Sequence, residues 1–231
     1  MKNNLPKPIL TLFMTEGLSL KYWDEIGMIE RELFLYNRLS QLFSTTQLFT
    51  YGSRKDKMYE TVYPNIKVLP WYFPIGRLLQ KNLGLWIHYN SLKQSNIFKT
   101  NQISGSLVAV KAKQIFNKPL IIRCGRLWSV FSELKNESKE TLKKVYKTEK
   151  IAFNYADLVF VTCDRDKNEI IKRYNIKNSK IKIIPNYVDT TLFKPSIENH
   201  HNQSSLLFIG RLVDQKNLNN LFEAVEKVEQ L

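Results

Sequence analysis

The stretch DLVFVTCDRDKNEIIKRYNIKNSKIKIIP, residues 157–185, contains the pattern that decides the fold. An apolar run over 157–163 is followed by a polar segment with helical spacing over 165–174 and by a second apolar run over 181–185. Continuous apolar runs are typical of strands buried on both faces of a sheet, and a helix between two such strands usually joins them in parallel. The stretch therefore predicts one β-α-β unit.

The same alternation extends over most of the chain. Candidate strands lie at 9–14, 46–51, 66–70, 96–100, 119–124, 157–163, 181–185 and 206–210, and candidate helices lie at 24–42, near 76–94, and at 105–116, 138–155, 165–174 and 217–230. Repeated β-α-β units predict an α/β fold with a Rossmann-like, doubly wound parallel sheet, whose ligands bind beyond the carboxyl ends of the strands. Asp24 is the predicted N-cap of the first helix.

A segment without sustained period interrupts the alternation at 186–205, where the sequence reads NYVDTTLFKPSIENHHNQSS. We predict a first domain over 1–190, a linker over 191–204, and over 205–231 the first strand, loop and helix of a second Rossmann-like domain. One strand and one helix cannot bury their own apolar faces. We therefore expect the chain to be a fragment of a longer protein.

Composition narrows the class of protein. The chain has two cysteines, Cys124 and Cys163, which are too few and too far apart for a disulfide framework or a metal knuckle. The N-terminal apolar run is too short for a signal peptide or a bilayer span, so we expect a cytoplasmic protein, with peripheral attachment to the inner face of the plasma membrane left open. The net charge of +14 fits an anionic membrane, a nucleic acid, a polyphosphate-bearing substrate, or simply solvated lysines.

The common nucleotide and hydrolase motifs are missing from the sequence. No GxGxxG, GxxxxGK[ST], HExxH or GxSxG pattern occurs, so dinucleotide, P-loop, zinc-protease and α/β-hydrolase functions lose their main support.

In FIGRLVDQKNL, residues 208–218, Arg211 follows a predicted strand and Lys216 precedes a predicted helix. Two cations at a helix N-terminus favour a diphosphate site, although a solvated loop pair has the same spacing.

Two longer motifs resemble those of a known family. KIKIIPNYVDTTLFKP at 180–195 and LLFIGRLVDQKNLNNLFEAV at 206–225 are similar to the paired motifs of retaining glycosyltransferase family 4, and YADLVFVTCDRDKNEIIKRY at 155–174 resembles the last unit of its N-terminal domain. The resemblance implies a GT-B fold of two Rossmann-like domains. It covers nearly the whole chain.

The resemblance also implies site residues. Arg211 and Lys216 match the basic pair that binds the donor diphosphate without a metal ion, and Gly27 matches a glycine whose backbone approaches the donor phosphate. The loop on the cleft or acceptor side contains no histidine here, and no catalytic base is assigned. The expected cleft residues are Arg123, Cys124, Gly125, Arg126 and Asn186.

The implied function is transfer of a hexosyl-type group, with retention, from a nucleotide sugar to a saccharide or lipid-linked acceptor in cell-surface polysaccharide synthesis. No cofactor other than the donor substrate and no nucleic acid are expected. As a fragment, the chain alone is expected to be inactive. The alternative is a non-catalytic basic Rossmann-like module that binds an anionic membrane or another polyanion.

Overall fold

The computed structural model describes residues 6–73, 83–195, 206–210, 212–213 and 216–229. The chain divides into two compact units, Met1–Asn186 and Tyr187–Leu231. The boundaries at 190 and 204 remain predictions, and residues 196–204 of the predicted linker lie outside the described residues.

The first unit is built on a parallel seven-stranded sheet in the order β3-β2-β1-β4-β5-β6-β7. The strands are β1 Ile9–Phe13, β2 Thr45–Phe49, β3 Ile66–Leu69, β4 Ile97–Thr100, β5 Leu120–Cys124, β6 Leu158–Val161 and β7 Ile181–Ile183. This confirms the first seven predicted strands and the doubly wound α/β fold. Strand β1 lies between β2 and β4 and aligns Phe13 with Phe49 of β2 and with Thr100 of β4.

The described helices flank this sheet or follow it in the chain. They are α1 Leu20–Glu25, α2 Ile29–Leu39, α3 Tyr59–Val62, α4 Tyr89–Gln94, α5 Ser106–Phe116, α6 Trp128–Leu134, α7 Lys139–Tyr155, α8 Asp164–Tyr174 and α9 Leu218–Glu229. Residues 83–87 are also helical, and the first part of the predicted helix near 76–94, residues 76–82, lies outside the described residues. Helix α6 was not predicted from the sequence. In the described part of the chain, no helix is both long enough and apolar enough to cross a membrane.

The core lies in two apolar layers, one on each face of the sheet. One layer centres on Phe13, which contacts the rings of Phe49 and Phe98 at centroid distances of 5.2 and 5.4 Å. The other contains Leu12 and the α1 residue Trp23, which is 1% exposed. Neighbouring side chains on a strand point to opposite faces, so β1, β2 and β3 contribute residues to both layers.

The first predicted helix, 24–42, is two helices in the structure. Gly27 adopts a φ of +65° and ends α1, and α2 begins at Ile29. The predicted N-cap Asp24 is wrong, because Ser19 caps α1 and accepts a hydrogen bond from the Tyr22 amide. Asp24 instead accepts a hydrogen bond from the Tyr59 hydroxyl at 2.8 Å. Glycine populates this left-handed conformation without steric cost and so allows the helix to end here.

In the second unit, the predicted strand at 206–210 is wrong. These residues adopt no regular secondary structure, and Leu207 and Ile209 are 81% and 84% exposed. A strand needs a neighbour to satisfy its backbone hydrogen bonds, and no described segment pairs with this run. The helix predicted for the same unit is confirmed as α9.

Candidate functional site

The carboxyl ends of the parallel strands lie together at one edge of the sheet, called the carboxyl edge below. From β1 the chain runs outward to β2 and β3, and it then returns to β4 on the other side of β1. In doubly wound sheets, ligands bind in the crevice where the strand order reverses in this way. The loops that follow β1, β4, β5 and β7 therefore frame the candidate site.

The loops after β1 and β4 are in close contact. The amide of Glu16 in the first loop donates to the carbonyl of Ser104 in the second at 3.0 Å. Gly105 ends the second loop, and a Cβ atom there would lie 2.3 Å from the carbonyl oxygen of Met14. Only glycine lets the start of α5 approach the β1 loop this closely.

The structure brings together two of the predicted cleft residues, Arg123 and Asn186. Nη2 of Arg123 donates to Oδ1 of Asn186 at 2.8 Å, and Nη1 donates to the carbonyl of Asn101 at 3.4 Å. The contact bridges the loops after β4, β5 and β7. Since a guanidinium carries five N–H donors, Arg123 retains hydrogen-bonding capacity for a polar or anionic ligand at this edge.

The neighbouring residues of the β5 loop point in different directions. Gly125 donates its amide to Oε1 of Gln102 at 3.1 Å, and the exposed Arg126 places its guanidinium carbon 4.5 Å from the ring centroid of Phe131. The prediction that Cys124 lines the cleft is wrong, because its side chain is 0% exposed and belongs to the core. Burial also raises the pKa of the Cys124 thiol well above its usual range.

The predicted diphosphate residues are distributed over both units. Lys216 is exposed in the second unit, two residues before α9, and its amide donates to the carbonyl of Val213 at 2.8 Å. Arg211 lies outside the described residues. Gly27 lies between α1 and α2, with a φ of +65°, and its approach to the donor phosphate remains a prediction. A second glycine with a positive φ, Gly17 at +83°, lies in the loop between β1 and α1.

Buried carboxylates that the sequence analysis missed hold the starts of two helices at the carboxyl edge. Asp56, 1% exposed, accepts hydrogen bonds from the amide of Leu20 at 3.0 Å and the hydroxyl of Thr50 at 2.9 Å. Glu149, 0% exposed, accepts from the amide of Trp128 at 2.7 Å. Each carboxylate lies at least 20 residues from the helix start that it caps, so no local motif indicates it.

Lys99 of β4 is an unusual buried base close to the site. Lys99 is 8% exposed. Its ammonium donates hydrogen bonds to the hydroxyl of Tyr36 at 2.9 Å and to the carbonyl of Thr100 at 3.3 Å. Burial, reinforced by the nearby Arg123 guanidinium, lowers the pKa of Lys99 to about 7, and Glu32 opposes this shift. The amine therefore titrates near neutral pH in the folded protein.

This lowered pKa predicts a pH-dependent stability. The unfolded chain, with a lysine pKa near 10.4, binds more protons than the folded chain between about pH 7 and 10, so the free energy of unfolding rises with pH in that window. The cost of burying the charge is present in full below about pH 7. We expect wild type to gain stability relative to Lys99→Met between about pH 6 and 10, as measured by urea unfolding.

A matched control is Lys67→Met, which replaces an exposed lysine of β3. Its difference from wild type should stay constant over the same range, because an exposed ammonium loses no hydration on folding. A constant difference for Lys99→Met as well would show that Lys99 keeps an ordinary pKa.

Among the described residues, no group of three or more His, Cys, Asp or Glu side chains is placed to hold a metal ion.

Comparison with known proteins relates the chain to one family and one fold. Residues 35–192 match the family model described as Glycosyltransferase Family 4. Anabaena HepE in complex with UDP and glucose is similar over 83% of this chain and 47% of its own, with a TM-score of 0.55 and 18% identity. Sucrose-phosphate synthase from Thermosynechococcus elongatus is similar over 82% of this chain and 50% of its own, with a TM-score of 0.56 and 16% identity. The chain thus spans about half the length of these structures, which support its fold.

Proposed function

This chain belongs to glycosyltransferase family 4, and from that premise we propose that its first unit is the acceptor-side domain of an enzyme that transfers a sugar from a nucleotide-sugar donor. The transferred group is hexosyl, the reaction proceeds with retention, and the acceptor is a saccharide or a lipid-linked saccharide of cell-surface polysaccharide synthesis. The reaction requires no cofactor and no metal ion in addition to the nucleotide-sugar donor and the acceptor. The enzyme acts in the cytoplasm.

The observation that carries the proposal is the carboxyl edge of the first unit. Arg123 and Asn186 join the ends of β5 and β7 there, at the position where doubly wound sheets bind their ligands. HepE was solved with UDP and glucose, which supports a nucleotide sugar as the first donor to test.

The proposed chemistry places charge stabilisation on the second unit. When a nucleotide sugar reacts, the leaving nucleoside diphosphate gains negative charge on its bridging oxygen. Lys216, just before α9, and Arg211 are the proposed cations for this charge, and the N-terminal amides of the 12-residue helix add their dipole. Fixed positive charge at this position replaces the metal ion that other transferases use. Retention is read from the anomeric configuration of the product by NMR.

The second candidate function is binding to an anionic membrane. One observation favours it: Trp86 is 60% exposed, and its ring stacks on that of Tyr89 at 5.9 Å with an interplanar angle of 3°. Lys93 places its ammonium 6.0 Å from the Tyr89 ring centroid. Exposed aromatic rings beside a lysine are typical of membrane-surface contacts, and such a contact is compatible with a transferase that uses a lipid-linked acceptor.

The test is calorimetric titration of the chain with UDP, UDP-glucose and GDP-mannose, first with EDTA and then with Mg²⁺. We expect at least one of them to bind equally well in both buffers. Lys216→Ala and Arg211→Ala should each weaken this binding about tenfold, the usual effect of one charged hydrogen bond. Lys227→Ala removes a lysine from the last turn of α9 and should leave binding unchanged.

A different pair of results would favour the membrane-binding function. If no nucleotide binds, while the chain sediments with phosphatidylglycerol vesicles in a salt-sensitive manner that Trp86→Ala abolishes, the membrane module is the correct function and the transferase proposal is wrong.

A further inference from the structure

The outer face of α7 carries a row of exposed lysines. The opposite face of this helix packs on the core of the first unit through Ala152 and Phe153. With about 3.6 residues per turn, positions 139, 143, 147 and 150 point away from that contact, and each is an exposed lysine. These four residues are called the lysine stripe below. At a rise of about 1.5 Å per residue, the stripe extends about 16 Å along the helix.

The fold removes two nearby glutamates from this face. Lysines and glutamates alternate in the sequence over 133–150, a pattern that by itself indicates a mixed, solvated face. In the structure, however, Glu149 is 0% exposed and accepts hydrogen bonds from the start of α6. Glu133 forms an ion pair with Arg173 of α8 at 2.7 Å. Both carboxylates thus bind other partners and do not neutralise the lysine stripe.

The lysine stripe itself forms no ion pair with a described residue. The other carboxylate of α7, that of Glu140, pairs with Lys144, which lies beside the stripe, at 2.8 Å. Glu137, before the helix, also pairs with no cation in the part of the chain that the structure describes. Like charges one turn apart on a helix repel each other and destabilise it. A partner that brings a row of negative charges would remove this repulsion.

The exposed residues of α7 decide the class of partner. Over 139–150, all of which the structure describes, they are five lysines and Glu140, with no apolar or aromatic side chain among them. A helix that lies in a membrane surface inserts an apolar face, and proteins that bind single-stranded nucleic acids stack the bases on aromatic rings. The stripe offers neither kind of contact. Its chemistry instead fits a linear polymer that carries negative charges along its length and has no bases to stack.

We propose that the lysine stripe binds an acidic polysaccharide, a linear chain of sugars that carry carboxylate groups. The proposal rests on the proposed function for the source of this polymer, which is the product of the synthesis in which the enzyme takes part. Lysine ammonium groups are compact charges on flexible stems, so they can follow repeated carboxylates without fixing a single register. Exposed charges make the contact, and salt therefore weakens it.

The test measures binding of the whole chain to polygalacturonate, a linear polymer of a uronic acid, by biolayer interferometry at several salt concentrations. Neutral dextran is the uncharged polymer for comparison. We expect binding to polygalacturonate and none to dextran. Combining Lys139→Gln, Lys143→Gln, Lys147→Gln and Lys150→Gln should weaken binding about thirtyfold at low salt, since one exposed ion pair contributes a factor of about two to three. The plot of log K against log salt concentration should become shallower by about 3.

The matched control removes the same charge from exposed lysines outside the stripe, by combining Lys55→Gln, Lys67→Gln, Lys172→Gln and Lys177→Gln. It should retain most of the affinity for polygalacturonate, whereas attraction by net charge alone would weaken both variants equally. The stripe variant should unfold at the urea concentration of wild type or at a higher one, because it removes repulsion between like charges. Equal weakening in the two variants, or no preference for polygalacturonate over dextran, would overturn the proposal.

Oligothymidylate and phosphatidylglycerol vesicles test the class of partner. Both should bind more weakly than polygalacturonate at the same concentration of negative charge. Tighter binding of either one that is lost in the stripe variant would make the stripe a nucleic-acid or membrane contact, and the proposal would be wrong. The stripe variant should bind nucleotide sugars as wild type does. Polygalacturonate binding without nucleotide binding would therefore retain the stripe and remove the transferase function, and the reverse result would remove only the stripe.

Discussion

Replacing Glu149 with alanine should lower the free energy of unfolding of the first unit by about 3–5 kcal/mol. The carboxylate is 0% exposed and accepts hydrogen bonds from the amides of Trp128 at 2.7 Å and Ser129 at 3.1 Å. It also accepts a hydrogen bond from the hydroxyl of Tyr174. Alanine would leave the two amides without this acceptor, and it would leave the Tyr174 hydroxyl only the Ser129 hydroxyl oxygen at 3.5 Å. Each unpaired donor costs about 1–3 kcal/mol.

Urea titration followed by far-ultraviolet circular dichroism measures this loss. Glu149→Gln keeps one carbonyl acceptor and should fall between alanine and wild type. Glu140→Ala on the same helix is the control: Glu140 has a side chain that is 78% exposed and an ion pair with Lys144 at 2.8 Å, so its loss should cost less than about 1 kcal/mol. A Glu149→Ala protein as stable as Glu140→Ala would show that the start of α6 does not depend on this carboxylate.

Gly105→Ala should destabilise the first unit by about 3 kcal/mol, at the upper end of the usual cost of overpacking. The added Cβ would lie 2.3 Å from the carbonyl oxygen of Met14. That backbone cannot move freely, because the Met14 amide donates to the carbonyl of Phe49 at 3.1 Å. Either the β1 loop or the start of α5 must therefore shift to make room for the added methyl group.

Gly27→Asn is the matched control for this substitution. A Cβ atom at Gly27 meets no atom within 4 Å, and asparagine tolerates the φ of +65° found there. Its urea midpoint should stay close to that of wild type. If Gly105→Ala also retains the wild-type midpoint, the contact between α5 and the β1 loop is looser than the structure shows.

The sequence by itself determined the elements of the fold. Strands such as 119–124 and 157–163 are continuous apolar runs, and this local pattern already implies burial on both faces of a sheet. Helix α7 begins one residue after the predicted start at 138, and the Ser138 hydroxyl caps it by accepting a hydrogen bond from the Thr141 amide at 3.2 Å. These features depend on neighbouring residues and can therefore be seen in a single sequence.

Only the tertiary structure decided which residues meet at the carboxyl edge. Arg123 and Cys124 are adjacent in sequence, yet one bonds Asn186 at the edge while the other is buried in the core. Asp56 and Glu149 cap helices whose starts lie 36 and 20 or 21 residues away. Residues Glu16, Tyr51 and Ser104, from the loops after β1, β2 and β4, likewise line one small cavity of about 140 Å³. Such contacts depend on strand order, which places distant loops side by side and leaves no periodic signal in the local sequence.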